Sequence, residues 1–137
     1  MDLSPRTEAL KAFLDAKPGA VAGPITAPRG SAPIALIYKV MGKMFAILSV
    51  RGPEGVILKC DPHLVEILRE QYEGVGHRSH LDRRFWISVS LDADVPAEEV
   101  ERLASGSYDL VCAGLTRKQR AELENLFPSM GERLGSG

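Results

Sequence analysis

Apolar residues recur along this chain in two rhythms, and the switches between them outline its elements. Ser4 precedes Pro5 as a cap precedes a first helical residue, and Leu10, Phe13 and Leu14 then share one helical face until Pro18-Gly19 stops the run. From Ala20 to Pro33 the chain is rich in Ala, Gly and Pro, which sustain neither a helix nor a strand ladder, so a long mobile surface loop is expected. Three β-rich runs follow, about Ile34 to Val40, Met44 to Val50 and Val56 to Cys60. Gly42 and then Gly52-Pro53-Glu54-Gly55 punctuate them, and gaps so short favour an antiparallel meander over crossovers.

Asp61-Pro62 opens a second helix, with Leu64, Val65, Leu68 and Tyr72 at helical spacing and Gly74 at its end. A loop and a strand reaching Leu91 come next, with a short additional strand expected near Arg78 to Leu81. Pro96 begins a helix that keeps Val100, Leu103, Ala104, Ser107 and Val111 on one face, and Gly114 supplies its stop. Thr116-Arg117-Lys118-Gln119 matches a capping box for a last helix through about Leu126, and Pro128 to Gly137 is expected to be a frayed, mobile tail. The order α-β-β-β-α-β-α-α predicts one α+β domain over residues 1–137. Its architecture is a two-layer sandwich in which one mainly antiparallel sheet of four or five strands carries helices on a face.

The composition is that of a folded protein: 137 residues, 45% hydrophobic and 26% charged. A net charge of -1 excludes a whole-molecule cationic field, so binding to a polyanion must come from a local patch. Cys60 and Cys112 lie far apart in apolar surroundings and read as buried thiols of a reducing compartment. No apolar run approaches the roughly 20 residues of a membrane span and the first residues lack a signal-type apolar region, so cytoplasmic residence with no membrane partner is expected.

Strand alternation turns these elements into faces. Phe85, Ile87, Val89 and Leu91 point one way, toward the core, and the only tryptophan, Trp86, points the other way with Ser88 and Ser90. The loop before it carries His77, Arg78, His80, Arg83 and Arg84, and the same alternation sends Lys59 and Lys39 outward. Two readings stand side by side. Either a flat aromatic among cations meets a ligand, or Trp86 is covered by a C-terminal helix or the Pro-rich loop with its indole N–H bonded inside. Arg117, Lys118 and Arg120 form a second basic patch at a helix N-terminus, where they oppose the dipole. His63, His77 and His80 lack the cysteines or carboxylates of a metal site, and no metal or other cofactor is expected. Asp92, Asp94, Glu98, Glu99 and Glu101 cluster around a helix start, where a capping and solubility role suffices. No serine sits in a nucleophile elbow, and no catalytic residue is nominated.

Lys43-Met44-Phe45-Ala46, Leu58-Lys59-Cys60-Asp61-Pro62, His80-Leu81-Asp82-Arg83-Arg84-Phe85-Trp86 and Ser107-Tyr108-Asp109-Leu110-Val111 resemble, in order and spacing, the motifs of the MmcQ/YjbR-like family. The resemblance runs from about Lys39 to the last helix. It implies a small bacterial non-enzymatic α+β domain, with a fold akin to type III secretion chaperones and a proposed double-wing mode of DNA binding. Where the family loop tends to read His-Leu-Asn-Lys-x-His-Trp, this chain has Asp82, Arg83 and Phe85 in place of the asparagine, the lysine and the histidine. The Ala20 to Pro33 segment departs from the family pattern as well. The expectation is a non-catalytic domain that binds DNA weakly and non-specifically through His77, Arg78, His80, Arg83, Arg84 and Trp86, with Lys59, Arg117, Lys118 and Arg120 as further phosphate contacts. The alternative is a chaperone-like module that holds a protein partner or a second copy of itself.

Overall fold

The computed structural model describes residues 3–26 and 33–128, and its helices begin where the capping chemistry puts them. Ser4 Oγ accepts the Thr7 N–H at the head of α1 (Pro5–Asp15), and Asp61 does the same for His63 at the head of α2 (Pro62–Gln71). α3 (Ala97–Ala113) starts after Pro96 without a side-chain cap. At α4 (Arg117–Leu126), Thr116 and Gln119 exchange both bonds of the expected capping box. The strands are β1 (Ala20–Thr26), β2 (Pro33–Val40), β3 (Lys43–Ser49), β4 (Gly55–Lys59), β5 (Val75–Gly76) and β6 (Trp86–Ser90). They form one antiparallel sheet in the order β1-β2-β3-β4-β6-β5, with α3 packed across β2, β3 and β4 and α1 against α3. The α+β architecture is the one expected, with six strands instead of four or five.

The two additional strands lie at the edges. Ala20–Thr26, expected as part of a mobile loop, is instead paired along its whole length with β2, from Ala20 opposite Val40 to Thr26 opposite Pro33. An edge position explains how so poor a strand sequence persists, because Pro24 has no N–H to donate and an edge strand needs donors on one side only. At the far edge the short strand expected near Arg78 to Leu81 is replaced by β5, two residues that pair with Val89 and Ser88. Residues 27–32 of the expected loop, and the expected tail from Ser129 onward, lie outside the described residues.

Two glycines are required by backbone geometry. Met41 and Gly42 both take positive φ (50° and 82°), as a two-residue β2–β3 hairpin with right-handed strand twist demands. Gly19 follows α1 at φ 76°, and a Cβ there would stand 2.6 Å from Leu123 Cδ1 of α4.

One irregularity organises the core. The β2–β3 register slips between Tyr38 and Lys39, which face Ala46 and Met44, so Phe45 is the extra residue of a bulge. Strict alternation would put Phe45 and Ala46 on opposite faces, but both are fully buried. Phe45 packs between Tyr38 and Tyr108, with ring centroids at 6.1 and 5.2 Å. The buried Tyr38 hydroxyl donates to Asp15 Oδ1 at 2.8 Å, and the Tyr108 hydroxyl donates to the Pro18 carbonyl. The bulge also ends the β3–β4 register at Ala46 opposite Leu58. Ser107 of α3 fills the break: its hydroxyl donates to the Phe45 carbonyl at 2.6 Å and accepts the Lys59 N–H at 2.8 Å. A helix side chain thus stands in for a rung of the sheet.

Candidate functional site

Register settles which side chains share the sheet face away from α3. Ile57 pairs with Ile47 and Ser88, Lys59 with Trp86, and Gly55 with Ser90, while Leu58, Val56, Ile87 and Val89 fill the core. Trp86 therefore lies on the outer face beside Lys59, both half-buried. It lines a pocket of about 330 Å³ with Lys59, Cys60, Asp61, Pro62, Phe85 and Leu110 of α3. The strands carry no carboxylate; Lys39 is exposed and Lys59 half-buried, while Lys43 Nζ donates to the Gly114 carbonyl at the end of α3 at 3.1 Å, and α3 carries Glu98, Glu99, Glu101 and Asp109 against Arg102. The near-neutral total charge hides a division into a basic sheet side and an acidic α3.

The loop before Trp86 is held by local bonds. His77 Nδ1 lies 3.3 Å from the Trp86 carbonyl, and the Arg78 N–H donates to Ser88 Oγ at 3.1 Å, so the chain after β5 stays alongside β6. Asp82 then makes a tight turn: its carbonyl accepts the N–H groups of Phe85 and Trp86, and its carboxylate accepts the Arg84 N–H at 2.9 Å. The Arg84 guanidinium closes on the same carboxylate from Nε and Nη2, at 3.1 and 2.8 Å, and stacks 5.2 Å from the Phe85 ring centroid. Bonding from the Arg84 side chain, then from its backbone N–H, holds the Asp82 carboxyl down at about 2. Asp82 thereby occupies Arg84 internally. Arg78, His80 and Arg83 remain exposed, and Arg83 makes no ion pair among the described residues.

Along β4 and β6 the outer face continues into a groove of about 280 Å³ that alternation alone did not single out. Arg51 and Arg78 flank it together with Glu54, whose carboxylate accepts the Ser4 N–H at 2.9 Å, and Gly55, Ile57, Ser88 and Ser90 form part of its floor. Arg51 was missed because it sits in a turn, where the period-two pattern carries no facing information. From Trp86 to Ser90 the face runs about 13 Å at the usual strand rise.

The second basic patch lies elsewhere. α4 packs near Gly19 and Val40 on the β1–β2 side, while Trp86 starts the penultimate strand at the other side of the sheet. Arg120 Nη2 donates to the Ala113 carbonyl at 3.0 Å and reaches Cys112 O at 3.5 Å, so this arginine caps the C-terminus of α3. Arg117 and Lys118 are exposed. The structure brings His77, Arg78, Arg83, Arg84, Trp86 and Lys59 to one region and leaves the α4 residues apart. No group of three His, Cys, Asp or Glu fit to hold a metal occurs among the described residues. Cys60 and Cys112 are buried, and burial pushes the Cys60 thiol up to about 11. Asp94 serves a different segment from the helix it precedes, accepting the N–H groups of Glu73 and Gly74 at 2.9 and 2.8 Å. No described helix is long and apolar enough to cross a membrane.

Comparisons with known proteins agree with this geometry. The profile of the YjbR family matches residues 15–110. The chain is 33% identical over 89 residues to YjbR of Escherichia coli K12, described as uncharacterised, an alignment covering 64% of this chain and 75% of that protein. It is 27% identical over 85 residues to YbdF of Escherichia coli O157:H7, also described as uncharacterised, covering 61% of this chain and 70% of that one. Among solved structures, Deinococcus radiodurans protein DR2400, a DUF419 domain, superposes with a TM-score of 0.73 at 30% identity, over 88% of this chain and 91% of that one. A Pseudomonas syringae protein at 20% identity shares the fold, with a TM-score of 0.62 over 79% of this chain and 98% of its own.

Proposed function

We propose that this chain, which belongs to the YjbR family, is a non-catalytic domain that holds a nucleic-acid backbone against the outer face of its sheet. The observation that supports this reading is a local set of cations, Lys59 beside Trp86 with exposed Arg51, Arg78 and Arg83 around the outer face and no carboxylate on the strands, on a molecule of net charge -1. Cations engage phosphates, Trp86 offers a ring on which a base stacks, and Lys59 stands directly beside it. Phosphate contacts and stacking on one ring carry no base-edge readout, so binding of this kind is sequence-tolerant and governed by salt.

The test is fluorescence anisotropy with labelled duplex and single strands across a salt series. With Lys59, Arg51, Arg78 and Arg83 as phosphate contacts, log K falls against log salt with a slope of about -3.6 for duplex and about -2.8 for single strands. Asp82→Asn retains a side-chain acceptor for the turn but removes the charge that occupies Arg84, so the duplex slope steepens by about 0.9. Absence of binding at about 50 mM salt, or binding indifferent to Arg78→Ala with Arg83→Ala, refutes the reading.

A further inference from the structure

Helices α2 and α3 each carry a second stripe beside the one that faces the core. α2 gives Val65 and Leu68 to the core and turns Leu64, Ile67 and Gln71 elsewhere; α3 gives Val100, Ala104, Ser107 and Val111 to the core and turns Leu103, Gly106 and Leu110 along the adjacent face. The two stripes line a groove of about 450 Å³. Leu64, Ile67 and Leu110 are 46%, 56% and 37% exposed there.

Gly106 is the informative residue. It sits inside a 17-residue helix, where glycine is the least favourable residue after proline, and a Cβ built on it meets no atom within 4 Å. Packing inside the chain does not require a glycine, nor does its φ, which lies outside the left-handed region. The missing side chain leaves a hollow in the α3 wall, and Ile67 stands out as a knob on the α2 wall. The rim carries balanced charge: Glu99 pairs with Arg102 at 2.8 Å, and Asp61 lies at the other end with Lys59. A rim with no excess of either sign sets up no repulsion between two copies, and it offers no net charge to hold a polyanion or a strongly basic peptide. Knob, hollow and balanced rim on one patch meet the requirement of a two-fold contact, in which residue i meets j and j meets i.

We propose that the α2–α3 groove is a self-association surface on which a second copy of this chain docks by two-fold symmetry, Ile67 of each copy seating over Gly106 of the other. Lys59 lies at the end of this groove as well as beside Trp86, but the groove between Arg51 and Arg78 shares no residue with it, so self-association and binding at Arg51 and Arg78 are separable.

Sedimentation velocity of the full chain from about 2 to 200 µM tests it, and a concentration-dependent dimer is expected. Ile67→Glu and Gly106→Gln each raise the dimer dissociation constant at least about 10-fold while circular dichroism shows the fold intact, since glutamine is the better helix former. Gly106→Ala, tested at a concentration where the chain is monomeric, raises the melting temperature by about 2 to 5 °C, because the position is open and helical. A monomer across the whole range overturns the proposal. So does a dimer indifferent to both groove substitutions, and so does a monomer whose groove takes up an apolar dye that Ile67→Glu expels.

Discussion

Replacing Ser107 with alanine removes one oxygen atom and strands two backbone groups. The Phe45 carbonyl and the Lys59 N–H both rely on that hydroxyl, at 2.6 and 2.8 Å, in a stretch where the β3–β4 register has ended. Each buried group left without a partner costs about 1 to 3 kcal/mol. Lys59 is half-buried, so water relieves part of its share, and the expected loss is about 2 to 4 kcal/mol. Against a total stability of about 5 to 15 kcal/mol this is large. Urea unfolding reads it directly: with a slope near 2 kcal/mol per molar, the midpoint falls by about 1 to 2 M while the slope stays unchanged. Ser107→Cys separates bonding from volume, because a thiol fills the site but bonds weakly, and it should also lose stability. Amide exchange supplies the local readout, with the Lys59 amide losing protection ahead of its β4 neighbours. A loss below about 0.5 kcal/mol, the range of surface substitutions, would refute the claim that a side chain completes this ladder.

Two other substitutions probe the frame around the site. Gly19→Ala forces a Cβ onto a residue at φ 76° and to 2.6 Å from Leu123 Cδ1, and thermal melts should show a loss of about 1 to 3 kcal/mol, since strain and repacking add. Asp94 sets a pH dependence. Bonds from the Glu73 and then the Gly74 N–H hold its carboxyl below the ordinary aspartate value. A depressed folded pKa means that the stabilisation is present above the unfolded value, near 3.9, and is lost as pH falls through the folded one. Urea titrations at pH 6 and pH 3 should therefore differ less for Asp94→Asn than for the parent, and an equal acid loss in both would show that Asp94 does not contribute.

Much of the fold was legible in the sequence because its signals were local. Ser4, Asp61 and Thr116 are side chains that act within three residues of their own position, so cap and helix are read together. The facing of Trp86 was legible for the same reason: Trp-Ile-Ser-Val-Ser alternates cleanly, and a half-polar strand declares its buried side. Phe45 was not legible. Met44-Phe45-Ala46-Ile47-Leu48 is apolar throughout, which conceals the slip that buries two neighbours together, and the slip depends on β2 and α3. β1 was hidden because its pairing is dictated by the strand beside it and not by its own Ala, Gly and Pro. At the candidate site, residue types gave the cations but not their occupancy. Asp82, which stands in place of the family loop's asparagine, is the group that ties down Arg84.

The division of charge between sheet and α3 also governs how the molecule approaches anything. With a net charge of only -1 it has almost no monopole, so at a distance beyond about one Debye length, roughly 8 Å at physiological salt, a partner feels little pull. Closer in, local charges act instead: Arg51, Arg78, Arg83 and Lys59 around the outer sheet face, and the acidic residues of α3. Such an uneven distribution turns a molecule more than it draws it in. Under the proposed function, encounters with an anionic polymer would therefore select orientation more than frequency, favouring approach of Lys59, Arg78 and Arg83 over Glu98, Glu99 and Glu101.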